Sequence, residues 1–232
     1  MIRRVKGELY VEGISLANIA KEFSTPCYVY SNKAIEENYL SYVEALESQS
    51  HLVCYAVKSN SNIAVLQLLS SLGAGFDVVS IGELERVLLA GGDPKKVVFS
   101  GLAKTEEEMS RALAVGIHCF NVESQSELFL LNKTAKMMSL SAPISIRVNP
   151  DVDAKTHPYI STGLKEDKFG IEIDKAIEVY LRAAQMPNIN IIGVDCHIGS
   201  QITEIEPFRD ALKRLISLVD KLSESGIKIN HL

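Results

Sequence analysis

Apolar residues along this chain alternate between two textures, short unbroken runs and longer stretches with a helical repeat. From residue 32 the alternation becomes regular. Ile35, Tyr39, Tyr42, Val43 and Leu46 form one helical stripe, and the apolar run 52–57 that follows reads as a buried strand ending on Lys58. The same reasoning predicts helices over 61–72, 82–90, 105–115, 124–138 and 174–185. Between them it predicts strands over 76–79, 97–100, 118–122, 144–148 and 189–198. A last helix is expected over 204–225, burying Phe208, Leu212, Leu215, Ile216, Val219 and Leu222. Ser80-x-x-Glu83, Thr105-x-x-Glu108 and Ser124-x-x-Glu127 read as capping boxes, and Gly73, Gly91, Gly116 and Gly226 as helix stops. Before residue 32 only short strand-like pieces stand out, at 9–11 and, after the Thr25-Pro26 turn, at 27–30.

Strands alternating with helices this often leave an open doubly wound sheet or a (β/α)8 barrel. The first strand-to-helix turn lacks G-x-G-x-x-G, so the barrel is the prediction. Counting from the Lys58 strand gives six strands, with 227–232 expected to start a seventh. A barrel closes with eight, so the chain is expected to be part of a longer protein. Residues 1–31 are expected to form an extension and 32–232 an incomplete TIM-type barrel.

Composition changes the picture only at its edges. Hydrophobic residues make up 47% and charged residues 23%, which is ordinary for a globular domain. A net charge of −5 without a long basic cluster points away from nucleic acid and anionic membranes and toward a small-molecule partner. With no signal-peptide pattern and no membrane-length apolar run, a cytoplasmic location is expected. Cys27, Cys54, Cys119 and Cys196 show no C-x-x-C spacing and read as reduced core residues, with no metal site implied.

Barrel chemistry sits at the carboxyl ends of strands. Polar residues gather there: Lys58 and Asn60, Asp77 and Ser80, Ser100 and Lys104, Asn121 and Glu123, Arg147 and Asn149, then Asp195, His197, Gly199 and Ser200. Lys58 is either a solvated residue closing a strand or an amine able to join an aldehyde cofactor. The second role requires its pKa to fall from about 10.4 by roughly three units, about 4 kcal/mol against the charged form, which burial at the mouth would supply. Asp77 reads as a turn or cap residue or as one of the polar groups gathered at the barrel mouth. Arg147, inside an apolar strand, needs a carboxylate or phosphate partner. His197 reads as a satisfied core residue or, with Gly199 and Ser200 following, as part of an anion site.

Tyr55-Ala-Val-Lys-Ser-Asn60, Gly75-Phe-Asp-Val-Val-Ser-x-Gly-Glu83, Arg147-Val-Asn-Pro-Asp151 and His197-Ile-Gly-Ser-Gln201 together resemble the fold-type III pyridoxal-phosphate decarboxylases, which share an alanine racemase-like barrel. The segment from Asp151 to Gly163, followed by Lys168-Phe169-Gly170, is similar to the members acting on diaminopimelate. The resemblance covers nearly all the chain from Thr25. It implies that Lys58 holds pyridoxal 5'-phosphate as a Schiff base and exchanges it for the substrate amine. Asp77 would lie near that lysine, and Glu83 near the cofactor environment. Arg147 would bond near the phenolic oxygen, His197 stack on the pyridine and Ser200 contact the phosphate. Asp151, Lys155, Thr156 and His157 would form the substrate side, unless they are simply surface loop.

The implied reaction is decarboxylation of meso-diaminopimelate to L-lysine in a homodimer with shared active sites. The family's glycine-rich phosphate loop, its pyridine-facing glutamate and its C-terminal β-domain, against which residues 1–31 would pack, are absent from these 232 residues. The chain by itself is therefore expected to be inactive. Other implied readings are a decarboxylase of ornithine, arginine or carboxynorspermidine, and a non-catalytic binding or oligomerising homologue.

Overall fold

The computed structural model describes residues 2–152 and 169–232. A small antiparallel sheet opens the chain, with β1 (Ile2–Val5), β2 (Glu8–Val11) and β3 (Ile14–Ser15) in that order. Lys6-Gly7 and Glu12-Gly13 join its strands, and all four residues have positive φ, between 49° and 90°. That is the twist a two-residue hairpin loop requires. Helix α1 (Leu16–Phe23) follows and buries none of its residues. The strand expected at 27–30 is not there. These residues join no sheet, and Tyr28 is 92% exposed, because an apolar run becomes a strand only where a neighbour accepts its ladder bonds. Cys27 is exposed as well, unlike the core residue anticipated for it.

The rest of the chain alternates as the pattern predicted. In order come α2 (Asn32–Ala45), β4 (Cys54–Ala56), α3 (Ile63–Ser71), β5 (Gly75–Val78), α4 (Ile81–Leu89), β6 (Val97–Phe99), α5 (Glu106–Val115), β7 (Cys119–Val122), α6 (Gln125–Met137) and β8 (Ala142–Asn149). Then follow β9 (Ile171–Glu172), α7 (Ile173–Ala184), β10 (Ile189–Asp195) and α8 (Glu206–Glu224). The sheet runs β10-β8-β7-β6-β5-β4, with β9 beside the end of β8, and every pair in it is parallel. Strands adjacent in sequence are thus adjacent in space with no reversal of order, which is the arc of a barrel and excludes a doubly wound sheet. Residues 227–232 run alongside β10, where Asn230 N–H donates to the Ile192 carbonyl at 2.8 Å and a single parallel bridge joins Gly193 and His231.

Side chains alternate across this sheet. Phe76, Val78, Phe99, Phe120, Val122, Ile144 and Ile146 have no exposed surface and share one core with Leu66, Leu84, Met109, Leu131 and Tyr180 from the helices. Burying a side chain of this size stabilises the fold by about 1.5–3 kcal/mol. Strand register places the intervening residues on the opposite face: Ala56 beside Asp77, Asn121 beside Ser145, Ser145 beside Gly193, and Arg147 beside Asp195.

Helix starts follow the predicted caps with one refinement. Thr105 and Glu108 form the full reciprocal box. At α4 and α6 the serine hydroxyl accepts from the N3 amide as expected, but the glutamate reaches one residue further back. Glu83 accepts from Val79 N–H at 2.8 Å and Glu127 from Glu123 N–H at 3.0 Å. Both carboxylates are thereby tied to the ends of β5 and β7. Gly116 ends α5 in the left-handed region, at φ 71°.

The predicted buried face of α8 is half right: Leu215 and Leu222 are buried and Val219 packs half-buried against the core, but the other three predicted residues are not covered. Ala211, Leu215, Leu218 and Leu222 face the core, whereas Phe208, Leu212 and Ile216 are 47–52% exposed. The two stripes lie about a quarter-turn apart, and a helix apolar over so wide an arc does not reveal by periodicity which edge is covered.

Candidate active site

The strand carrying Lys58 is shorter than predicted. β4 stops at Ala56, and Val57–Ser59 form a single 3-10 turn. Ser59 Oγ donates to the Ala56 carbonyl at 2.5 Å and Tyr55 Oη to the Asn60 carbonyl at 3.2 Å, so the turn is fastened at both ends. Val57 is fully buried beneath it, and Lys58 is exposed on top. The burial expected of Lys58 is thus not supplied by the described residues, because the turn lifts the side chain out of the strand.

Asp77, one strand over, is mostly buried and accepts from Ser100 Oγ at 2.5 Å; Asn121 Nδ2 donates to the same hydroxyl at 3.0 Å. Burial raises the Asp77 carboxyl above the usual carboxylate range, while the Ser100 bond and then the charges of Lys58, Arg147 and Lys104 pull it back. Arg147 finds the carboxylate partner its apolar strand demanded. Its Nη1 lies 3.0 Å from Glu123 Oε2, a side chain with no exposed surface, and its guanidinium sits 5.7 Å from the centroid of the Phe169 ring. His197, just beyond β10, keeps part of its surface open to solvent, and its pKa is lowered by partial desolvation first and then by the charges of Arg147 and Lys58, which favours the neutral imidazole. The charges of Lys58 and Arg147 therefore act on both Asp77 and His197 at one end of the sheet.

Other predicted residues sit differently. Glu83 bonds to Val79 N–H and serves the start of α4. Ser200 is exposed after Gly199, whose φ of 139° needs glycine. Asp151 is exposed, takes its amide to Asn149 Oδ1 at 3.0 Å and faces Arg214 of α8 at 3.7 Å. Lys155, Thr156 and His157 lie outside the described residues. Lys104, grouped by sequence with the strand-end polar residues, is instead buried. Its ammonium donates to Glu127 Oε1 at 2.7 Å and to the carbonyls of Gly101 at 2.7 Å and Asn121 at 2.8 Å. All three of its donors are used.

Sequence reasoning did not single out Glu123 or Asp195 as working groups, although both stand at strand ends. Asp195 has the most displaced carboxyl of the site. Burial, together with the negative charges of Asp77 and Glu123, pushes it up to about 6 against the pull of Arg147. The unfolded chain releases this proton near pH 3.9, so the folded state gains from holding it below about pH 4 and loses that gain as pH rises to about 6, a change of roughly 3 kcal/mol at most. Asp195→Asn is expected to abolish that decline. Urea unfolding at several pH values checks it: the stability difference between variant and parent should grow in the variant's favour from about pH 4 to pH 6 and then level. A constant difference would contradict the assignment.

Thiols offer no competing nucleophile here, since burial pushes Cys54 up to about 12 and Cys196 up to about 11. Among the described residues there is no cluster of three or more His, Cys, Asp or Glu able to hold a metal, and no helix long and apolar enough to cross a membrane.

Comparison with known proteins identifies the family of the chain. Residues 32–232 match the family described as pyridoxal-dependent decarboxylase, pyridoxal binding domain. The chain is 62% identical over 225 residues to a diaminopimelate decarboxylase of Pseudomonas aeruginosa, spanning 97% of this chain and 54% of that protein. It is 56% identical to one of Vibrio cholerae, again over 97% of this chain and 54% of the other. Its fold superposes on the crystal structure of diaminopimelate decarboxylase from M. jannaschii in co-complex with L-lysine, with a TM-score of 0.93 and 41% identity over 99% of this chain and 55% of that one. The chain spans about half the length of these relatives.

Proposed function

This chain belongs to the pyridoxal-dependent decarboxylases through their pyridoxal binding domain, and we propose that the whole protein decarboxylates meso-diaminopimelate to L-lysine, with Lys58 as the amine that binds the cofactor's aldehyde. The observation that carries this reading is the meeting of Lys58, Asp77, Arg147 and His197 at the carboxyl ends of parallel strands. The residues suit pyridoxal phosphate by their chemistry. An exposed amine is open to an aldehyde, a guanidinium fixed by Glu123 can face an anionic oxygen, a neutral imidazole can lie against a ring, and Gly199-Ser200 leave room for a phosphate.

When bound, the cofactor supplies the electron sink for the pair left behind by departing CO2. The protein's share is positional. Asp77, held by Ser100, presents a carboxyl to the Lys58 amine and can hold or return its proton. Arg147, anchored by Glu123, fixes the orientation of the anion it meets, and His197 flanks the site without adding charge at neutral pH. Glu83 would support the cofactor side through the α4 turn, Ser200 the phosphate, and Asp151, Lys155, Thr156 and His157 the substrate.

A cytoplasmic homodimer with shared active sites belongs to the same reading. So does an extension at 1–31 packing on a β-domain. Ile2, Phe23 and Tyr28, 68–92% exposed, are surface that such packing would cover. The test is CO2 release by the whole protein with pyridoxal phosphate. Release from meso-diaminopimelate should exceed release from ornithine, arginine and carboxynorspermidine by at least about a hundredfold in kcat/KM, the discrimination expected of a site built to bond the distal amino and carboxylate groups. Preference for ornithine or arginine would replace the substrate assignment, and no release from any of them would favour a binding protein.

A further inference from the structure

Arg147 is bordered by more negative charge than it can neutralise. Glu123 pairs with it at 3.0 Å, and Asp195 stands beside it on β10, its Cα partner in the parallel ladder and on the same face of the sheet. Among the described residues, the charges that act on Asp195 are those of Arg147 of β8, Asp77 of β5, Glu123 after β7 and Lys104 before α5. Cys119 of β7, Tyr180 of α7 and the adjoining Cys196 also feel its charge. Lys104 is already matched by Glu127 at 2.7 Å, so among the described residues three carboxyls remain around one guanidinium and the exposed Lys58 amine.

An anion drawn to Arg147 therefore meets the Asp195 carboxylate as a like charge, and a proton on Asp195 removes the repulsion. We propose that Asp195 makes anion binding at Arg147 proton-coupled, so that affinity for pyridoxal phosphate, the anion implied by the reading above, weakens as pH rises through the neutral range. Asp195 is a positioning residue in this scheme, acting through the guanidinium. The upward displacement of its carboxyl toward neutrality is in keeping with the coupling, which stands on the strand register and the surplus of acids.

The experiment is a fluorescence titration of the whole protein and its Asp195→Asn variant with pyridoxal phosphate between about pH 5 and about pH 8. The two proteins should bind with similar affinity at the acid end, and the variant should bind about tenfold tighter at the alkaline end, the effect of a coupling near one pKa unit. Comparing the two at each pH cancels the titration of His197 and of the phosphate itself. A purely structural role would shift affinity by the same factor at every pH, and such a constant ratio overturns the proposal. Should Asp195→Asn fail to fold, Asp195→Ser must lose the pH dependence and Asp195→Glu must keep it, and the reverse outcome is equally fatal. If the parent binds no pyridoxal phosphate at any pH, the cofactor reading falls and the coupling with it; binding with a flat ratio removes the coupling alone.

Discussion

Lys58→Ala is expected to lower turnover of meso-diaminopimelate by the whole protein by roughly three orders of magnitude or more, the scale on which removing a covalent nucleophile acts. Two roles for Lys58 must be separated, because its charge already acts on Asp77 and His197. Lys58→Arg keeps a cation at this position but supplies a guanidinium that stays protonated and does not add to an aldehyde. Both variants should therefore be equally dead, as read from CO2 release. If Lys58→Arg retained a substantial part of the activity, the lysine would be an electrostatic partner and the covalent role would be lost. The exposed 3-10 turn favours the experiment, since substitution on top of it leaves Val57 and the Ser59 and Tyr55 bonds in place.

The largest effect on stability is expected at Lys104. Its side chain is 1% exposed and that of Glu127 is 6% exposed, and the ion pair between them is completed by two backbone carbonyls. Lys104→Met would leave the Glu127 carboxylate, already raised by burial, without its compensating cation, at a cost of about 3–5 kcal/mol. For a protein of this size that amounts to a fall in Tm of roughly 10 °C. Replacing both partners by apolar residues should recover part of the loss, because no orphan charge then remains, though the Glu123 amide would lose its acceptor. Thermal unfolding of the two variants checks this. A drop of about 1 kcal/mol or less for Lys104→Met would mean that water reaches Glu127 and that the pair is not the buried strut described.

The alternation of strands and helices was legible because each buried strand is a short apolar run closed by a turn, and because α4, α5 and α6 each open on a serine or threonine with glutamate three residues on. The parallel order followed from the helix that separates each strand from the next. What the sequence concealed has identifiable causes. At Lys58 the run 52–57 does not announce that the ladder ends at Ala56, since Val57 is as apolar as a strand residue and is buried under the turn instead. In α8 two apolar stripes compete, and only the position of α7 decides between them. At the N-terminus the two hairpins were written in Lys6-Gly7 and Glu12-Gly13, a weaker form of the Asn-Gly or Asp-Gly signal. Within the candidate site, the family motifs pointed to Lys58, Asp77, Arg147 and His197. The carboxyls around Arg147 could be anticipated in kind but not assigned, because Glu123 and Asp195 are brought to it by strand register, which no local pattern in the sequence encodes.

Everything functional turns on the identity of one amine. The whole protein, incubated with pyridoxal phosphate, reduced with borohydride and digested, should yield a pyridoxyl-lysine adduct on the peptide containing Lys58 and on no other. An adduct confined to a different lysine, or none at all in protein that has bound the cofactor, would contradict the account.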